Sequence, residues 1–486
     1  MELPLLSAET RLSVLRGLAL NPAAPVSVLL RLLRTPWAAY KIAMFRDQIP
    51  VELALAILDL NDGLAAAALA GKRHVPFAVR RRLAGHTCAD VRAATVREQL
   101  WDLSEPERGE MAVLTASLAS DSDVRVRSEV ARNDHTPDEI HARLAADEAV
   151  DVRIAAAGRW KLCPPVTHRA LLTDPESAVR TAELLWRAAP PVDLHHALLA
   201  DPATRVLTVP HVRLTGVLAV ELARDPDERV RAAVARNATL PRGLRRELEA
   251  ERNHAVRYAV LTSPHTESAT RTRLYQEVCA GSEDDEVWHR TARRTSRAWL
   301  SPALNWLRDS SVADRLAALD SPLAFLRCAV AQNTTGLPDE AVARMLNDSD
   351  PDVQKEAAFH SKSVPPEDLE RIVWEHGDVE KTRHGILARP DFPSAAHPRF
   401  ATSERYQLRA AAAAGDLPGD VLEVLATTDP HGLVRGAAAA NPRLPVHCLP
   451  RLLADEESLG VAWRVGQSPN LPVEWMELLL SAEGIA

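Results

Sequence analysis

Three stretches of this chain are near copies of one another: DSDVRVRSEVARNDHTP from Asp121 to Pro137, DPDERVRAAVARNATLP from Asp225 to Pro241, and DPHGLVRGAAAANPRLP from Asp429 to Pro445. In each, an acidic residue is followed six positions on by the arginine of a Val-Arg pair, then by small apolar residues, an asparagine and a proline. A short internal period constrains architecture more than any other feature. Each copy must be one small unit that hides its apolar face on its neighbours. The 486 residues are too many for one globular core. A repeat array escapes that limit because each unit packs only on the next.

Loop prolines act as a ruler. They stand at Pro25, Pro50, Pro76, Pro106, Pro137, Pro165 and Pro191, then at Pro241, and again at Pro338, Pro366, Pro393, Pro418, Pro445 and Pro472. With the wider gaps filled by degenerate copies, the spacing predicts about 17 units of roughly 26 residues. They run without a Gly/Ser linker, so residues 1–486 read as a single continuous array. The repeats are clearest at 121–146, 225–250 and 429–454 and degenerate at 200–224 and 264–320.

Each unit reads as two short helices. Asp-Pro pairs at 174–175, 201–202, 225–226, 350–351 and 429–430 suit the start of the first, with Asp as N-cap and Pro at the first helical position. Asn133, Asn237 and Asn441 stand where that helix must stop, as asparagines able to adopt the left-handed C′ conformation. A second helix follows with apolar residues at helical spacing, such as Ile140 and Leu144, or Leu244 and Leu248. Helices this short are not stable alone. The expected fold is an all-α superhelix without β-sheet.

The pattern DPxxxVRxAVARNxxLPxxLLxxLLxD resembles the leucine-rich repeat variant family, an α-solenoid of the armadillo and HEAT-like kind. The match is good at Asp121–Leu144, Asp225–Leu248 and Asp429–Leu453. The resemblance implies a curved superhelix that binds macromolecules. The family's name-giving member carries a cysteine cluster for an iron–sulfur centre ahead of its repeats. Cys88, Cys163, Cys279, Cys328 and Cys448 lie far apart with no CxxC, so that centre is not carried over. No cofactor and no metal are expected.

Charge narrows the partner. Residues 1–280 hold 37 basic and 35 acidic residues, and residues 281–486 hold 21 and 31. A balanced or acidic array argues against a nucleic-acid binder or a ligand for anionic membranes. The abundant Ala and Arg read as high-GC bacterial coding bias and carry little functional weight. The first residues lack the basic start and unbroken apolar run of a signal peptide, and no stretch of about 18 apolar residues exists to span a membrane. A reducing cytoplasm is the expected compartment.

The chain shows no GxSxG, GxxxxGK[ST] or HExxH motif, so a non-catalytic scaffold for a protein or peptide partner is the leading expectation. A HEAT-like nucleic-acid or DNA-repair protein is the alternative. The recurrent Val-Arg arginines read first as inter-repeat salt bridges and second as an anion-binding groove. Arg290, Arg293, Arg294 and Arg297 fall on one helical face, opposite Trp288 and Trp299, and form the candidate partner-docking stripe. Lys72, Arg73, Arg80, Arg81 and Arg82 form a lower-ranked basic patch.

Overall fold

A computed structural model describes every residue except 1–3, 73–74, 98–104, 161–162, 187–188, 281–303, 379–384, 455–458 and 486. The described residues are all helix, turn and loop, with no strand. The unit that starts at Asp225 shows how the sequence makes its helices. Asp227 caps the helix Glu228–Ala235 by accepting the Arg229 N–H at 2.8 Å. Val230, Ala233 and Val234 are buried on its inner face. Pro241 then N-caps the helix Arg242–Glu249, which buries only Leu244 and Leu248. Such a thin apolar stripe leaves each helix dependent on the next repeat.

Two local expectations need correction. Asp201-Pro202 and Asp350-Pro351 do place Asp at the N-cap and Pro at the start of the helix. At Asp174, Asp225 and Asp429 the helix begins later, and in the last two units the caps are Asp227 and His431. The earlier Asp instead accepts the N–H two residues on: Glu176 at 2.9 Å, Asp227 at 2.9 Å and His431 at 2.8 Å. That turn holds the carboxylate ahead of the helix, where the arginine of the preceding repeat reaches it. Asp225 therefore caps a turn and not the helix.

Asn133 and Asn441 stop their helices in extended conformation, not left-handed. Asn133 has φ −79° and ψ 116°, and Asn441 has φ −72° and ψ 128°. Asn61 alone among the described non-glycine residues has positive φ. The side chain explains the choice. Asn441 Nδ2 donates to the carbonyls of Ala413 and Gly415 in the preceding repeat, both at 2.8 Å, and its Oδ1 accepts from Arg443 N at 2.9 Å. Asn237 likewise donates to Val209 and Val212 and accepts from Thr239 N. Asn133 reaches Val96, and Asn333 reaches Arg308. Each asparagine is a clamp that satisfies carbonyls left over at the end of the neighbouring helix.

The chain forms two compact units. One comprises Arg187–Pro393. Within it Glu228–Ala235 packs on His254–Thr262, and Ala324–Ala331 packs on Pro351–His360. The other combines Met1–Trp186 with Ser394–Ala486. Within it the helices Tyr406–Ala414, Gly432–Ala440 and Leu459–Gln467 stack in order, and Ala8–Leu18 from the chain start stacks on Leu459–Gln467. That last pair is the most extensive helix contact among the described residues. The second helices continue across the same join, since Val26–Leu32 packs on both Val473–Ala482 and Val51–Asp59.

The join uses the ordinary repeat chemistry. Asn21, fully buried, donates to the carbonyls of Gly466 at 3.0 Å and Ser468 at 2.6 Å and accepts from Ala23 N at 2.8 Å. Arg11 pairs with Glu483, and Arg31 with Glu477 and the Ile485 carbonyl. Gly17 and Gly466 face each other so closely that a Cβ on Gly17 would overlap the Trp463 carbonyl oxygen, and one on Gly466 the Val14 carbonyl oxygen. Backbone contact of this kind requires glycine on both sides.

Two outcomes follow from this packing. Gly466→Val should push the helices Ala8–Leu18 and Leu459–Gln467 apart and cost about 3 kcal/mol by overpacking. A lower denaturation midpoint, with faster hydrogen exchange in residues 8–18, is the expected reading. Asp147→Ala should cost about 2–4 kcal/mol, because it strands Arg127, whose side chain is only 11% exposed. Replacing both partners, Arg127→Met with Asp147→Leu, should restore most of the loss in the same denaturation measurement.

Candidate functional site

The repeat arginines are engaged inside the stack. Arg127 donates from Nε and Nη2 to Asp147 at 2.8 and 2.9 Å, and from Nη1 to the Asp121 carbonyl at 2.9 Å. Arg92–Asp121, Arg153–Asp174, Arg327–Asp348 and Arg409–Asp429 repeat the two-pronged pair. Arg231–Glu251 and Arg257–Glu277 keep the pairing with a longer acid. The partner stands at the start of the following repeat, except that Glu277 lies on the second helix of Arg257's own unit, Ser268–Ala280. A guanidinium held by a carboxylate and a backbone carbonyl has few donors left for an anion. The salt-bridge reading is the one these contacts bear out.

The electrostatics match. The hydrogen bond from Arg92 holds the Asp121 carboxyl below its usual range. At Asp147, Asp348 and Asp429 burial pushes the carboxyl up, but the arginine and a backbone N–H outweigh it and the net movement is down. At His141 burial dominates. The imidazole stacks on Trp160 with ring centres 5.4 Å apart and donates from Nε2 to the Ala131 carbonyl, and burial lowers its pKa.

The docking stripe of Arg290, Arg293, Arg294 and Arg297, with Trp288 and Trp299, lies outside the described residues. The second basic patch is not brought together as one surface. Lys72 Nζ donates to the Met44 carbonyl at 2.7 Å. Arg80 is buried and donates to the Lys72 carbonyl. Arg81 pairs with Glu110 and lies over the Phe77 ring, while Arg82 pairs with Asp59. Arg73 lies outside the described residues.

An apolar concavity lies beside the join. A cleft of about 870 Å³ opens between the segment Pro4–Leu6 and the second-helix row. Its walls are Leu5, Leu6, Val446, Pro472, Trp475, Leu478 and Ala482, with Arg11 and Glu474 as the charged residues. Arg11 is held by Glu483 and the Leu6 carbonyl. Leu478 and Val446 are 53% and 40% exposed, while Trp475 is buried to 2% and forms the floor. The volume suits a few side chains of a ligand, and the lining offers apolar contact without a nucleophile next to a base. Sequence reading missed this cleft because Leu5 and Leu478 lie at opposite ends of the chain.

One potential metal-ligand cluster stands out among the described residues: Glu423, His447 and Cys448, whose ligand atoms all lie within 4.8 Å of one another. The adjacent His-Cys pair was visible in the sequence, but its carboxylate comes from the preceding repeat.

Comparison with known proteins gives little to set beside this geometry. No family model matches the chain, and no curated protein matches it. A crystal structure of an engineered protein is similar at 15% identity, covering 94% of this chain and 98% of that one, with a TM-score of 0.18. So low a score carries no argument. No helix among the described residues is long and apolar enough to cross a membrane.

The titrations set a pH dependence. A histidine whose folded pKa is lowered resists protonation that the unfolded chain accepts. Its share of stability is therefore present above about pH 6.5 and lost as pH falls toward the folded value. His141, His211, His265 and His397 all shift this way. The lowered aspartates contribute stability above about pH 4 that disappears as pH falls through their folded values. Melting temperature should thus drop modestly from pH 7 to 5 and steeply from 4 to 3. His141→Phe should reduce the first drop, leaving the share of His211, His265 and His397, and should not change the second.

Proposed function

We propose that this chain is a non-catalytic scaffold in which each unit is an α-solenoid of leucine-rich repeat variant type, and that it holds an apolar segment of a protein or peptide partner. About 17 repeats along the chain remain the reading of the proline spacing. The observation that carries the binding role is the open apolar cleft at Leu5, Val446, Trp475 and Leu478. Exposed aliphatic side chains around a buried aromatic floor form the kind of pocket in which an anchor residue of a partner gains most of its binding energy. The internal pairing of the repeat arginines supports a protein partner over nucleic acid, because a backbone binder needs unpaired cations along one face. The stripe from Arg290 to Arg297 is proposed as a second contact, for acidic residues of the same partner.

Leu478 lies on the surface, so Leu478→Glu should leave the melting temperature nearly unchanged. It should weaken binding of captured partners, and of peptides selected against the wild-type chain, by at least about tenfold, roughly 1.4 kcal/mol. Arg293→Glu with Arg297→Glu should weaken the native partner by a similar factor. Unchanged binding in both variants rejects both surfaces. Tight binding to duplex DNA with a steep salt dependence would favour the nucleic-acid alternative.

A further inference from the structure

Next to the cleft, two consecutive repeats bring three different donor atoms to one point. Glu423 projects from the helix Gly419–Thr428, which packs on the turn Val446–Cys448 that opens the next helix. That turn presents His447 and Cys448. His447 Nε2 lies 3.2 Å from Glu423 Oε2, and a cysteine sulfur, an imidazole nitrogen and a carboxylate oxygen all fall within 4.8 Å of each other. Cys448 is buried to 2%, whereas the His447 and Glu423 side chains are 65% and 43% exposed. The sulfur therefore forms the floor of the cluster, and the other two donors form its rim.

We propose that Glu423, His447 and Cys448 bind one zinc ion. Bond lengths of about 2.0–2.2 Å to nitrogen or oxygen and about 2.3 Å to sulfur place tetrahedral donors roughly 3.3–3.6 Å apart. The His447–Glu423 edge is already that short, and the exposed rim side chains are free to close the remaining gap onto the sulfur. One thiolate, one imidazole and one carboxylate form a borderline donor set that suits zinc better than calcium or magnesium, which take oxygen alone. Binding forms the sulfur–metal bond as the thiol proton leaves to solvent, with no change of oxidation state. Three protein ligands leave a fourth position, and the rim faces solvent, so water or a donor from a bound partner completes the shell. A structural zinc site is closed by four protein ligands, so this one is built for exchange at its open position.

The whole chain, stripped of metal, should be titrated with cobalt(II) as a spectroscopic stand-in for zinc. The expected result is one equivalent bound, with a sulfur-to-cobalt charge-transfer band in the near ultraviolet that equimolar zinc abolishes. Cys448→Ser should remove the band, and Cys163→Ser should leave it. His447→Gln and Glu423→Gln change exposed side chains and should keep the fold, checked by circular dichroism. Each should weaken cobalt binding at least about tenfold. No band in the wild-type chain, a full band in Cys448→Ser, or unchanged affinity in both rim variants would overturn the proposal and leave an ordinary His–Glu surface pair beside a buried thiol.

Discussion

Arg92, Arg127, Arg153, Arg231, Arg327 and Arg409 each hold two things at once: a backbone carbonyl at the start of their own unit and the carboxylate at the start of the next. Arg127 shows both in one side chain, with Asp121 O behind it and the Asp147 carboxylate ahead. Asparagine closes the other end of the interface, reaching back to carbonyls of the previous repeat, as Asn441 does at Ala413 and Gly415. Short helices with thin apolar stripes give little stability by themselves. The polar pair at each seam sets the register in which those stripes meet. It also satisfies helix-end groups that would otherwise be buried and unpaired.

The asparagine device recurs where the start of the chain joins its end, with other ion pairs beside it. Asn21 clamps Gly466 and Ser468 as Asn441 clamps its predecessor, and Arg11 and Arg31 find Glu483 and Glu477. To the packing, Ala8–Leu18 is the next helix after Leu459–Gln467. A seam that depends only on nearest neighbours does not register whether those neighbours are consecutive in sequence. A local difference is the glycine pair, Gly17 with Gly466, which brings two backbones closer than side chains allow.

This use of charge shapes what surface remains for function. Arginines that a sequence reader would assign to an anion groove are paired inside the seams, and the basic patch near Lys72 is divided among Met44 O, Glu110 and Asp59. The apolar cleft and the Glu423–His447–Cys448 cluster lie instead on the second-helix side, where repeats differ from one another.

Sequence alone determined the helical class and the placement of the short helices, and it favoured salt bridges over an anion groove for the Val-Arg arginines. All three rest on local spacing: proline steps, apolar periodicity and, in five units, an Asp six residues before the arginine. It misassigned Asp225 as a helix cap and Asn441 as a left-handed stop, because in each case the side chain answers to the neighbouring repeat and not to its own helix. The join of chain start to chain end, the cleft formed by Leu5 with Leu478, and the meeting of Glu423 with His447 and Cys448 were decided only by tertiary structure. Each depends on which surfaces stack, and a periodic sequence leaves that open, since every repeat offers nearly the same seam to any other.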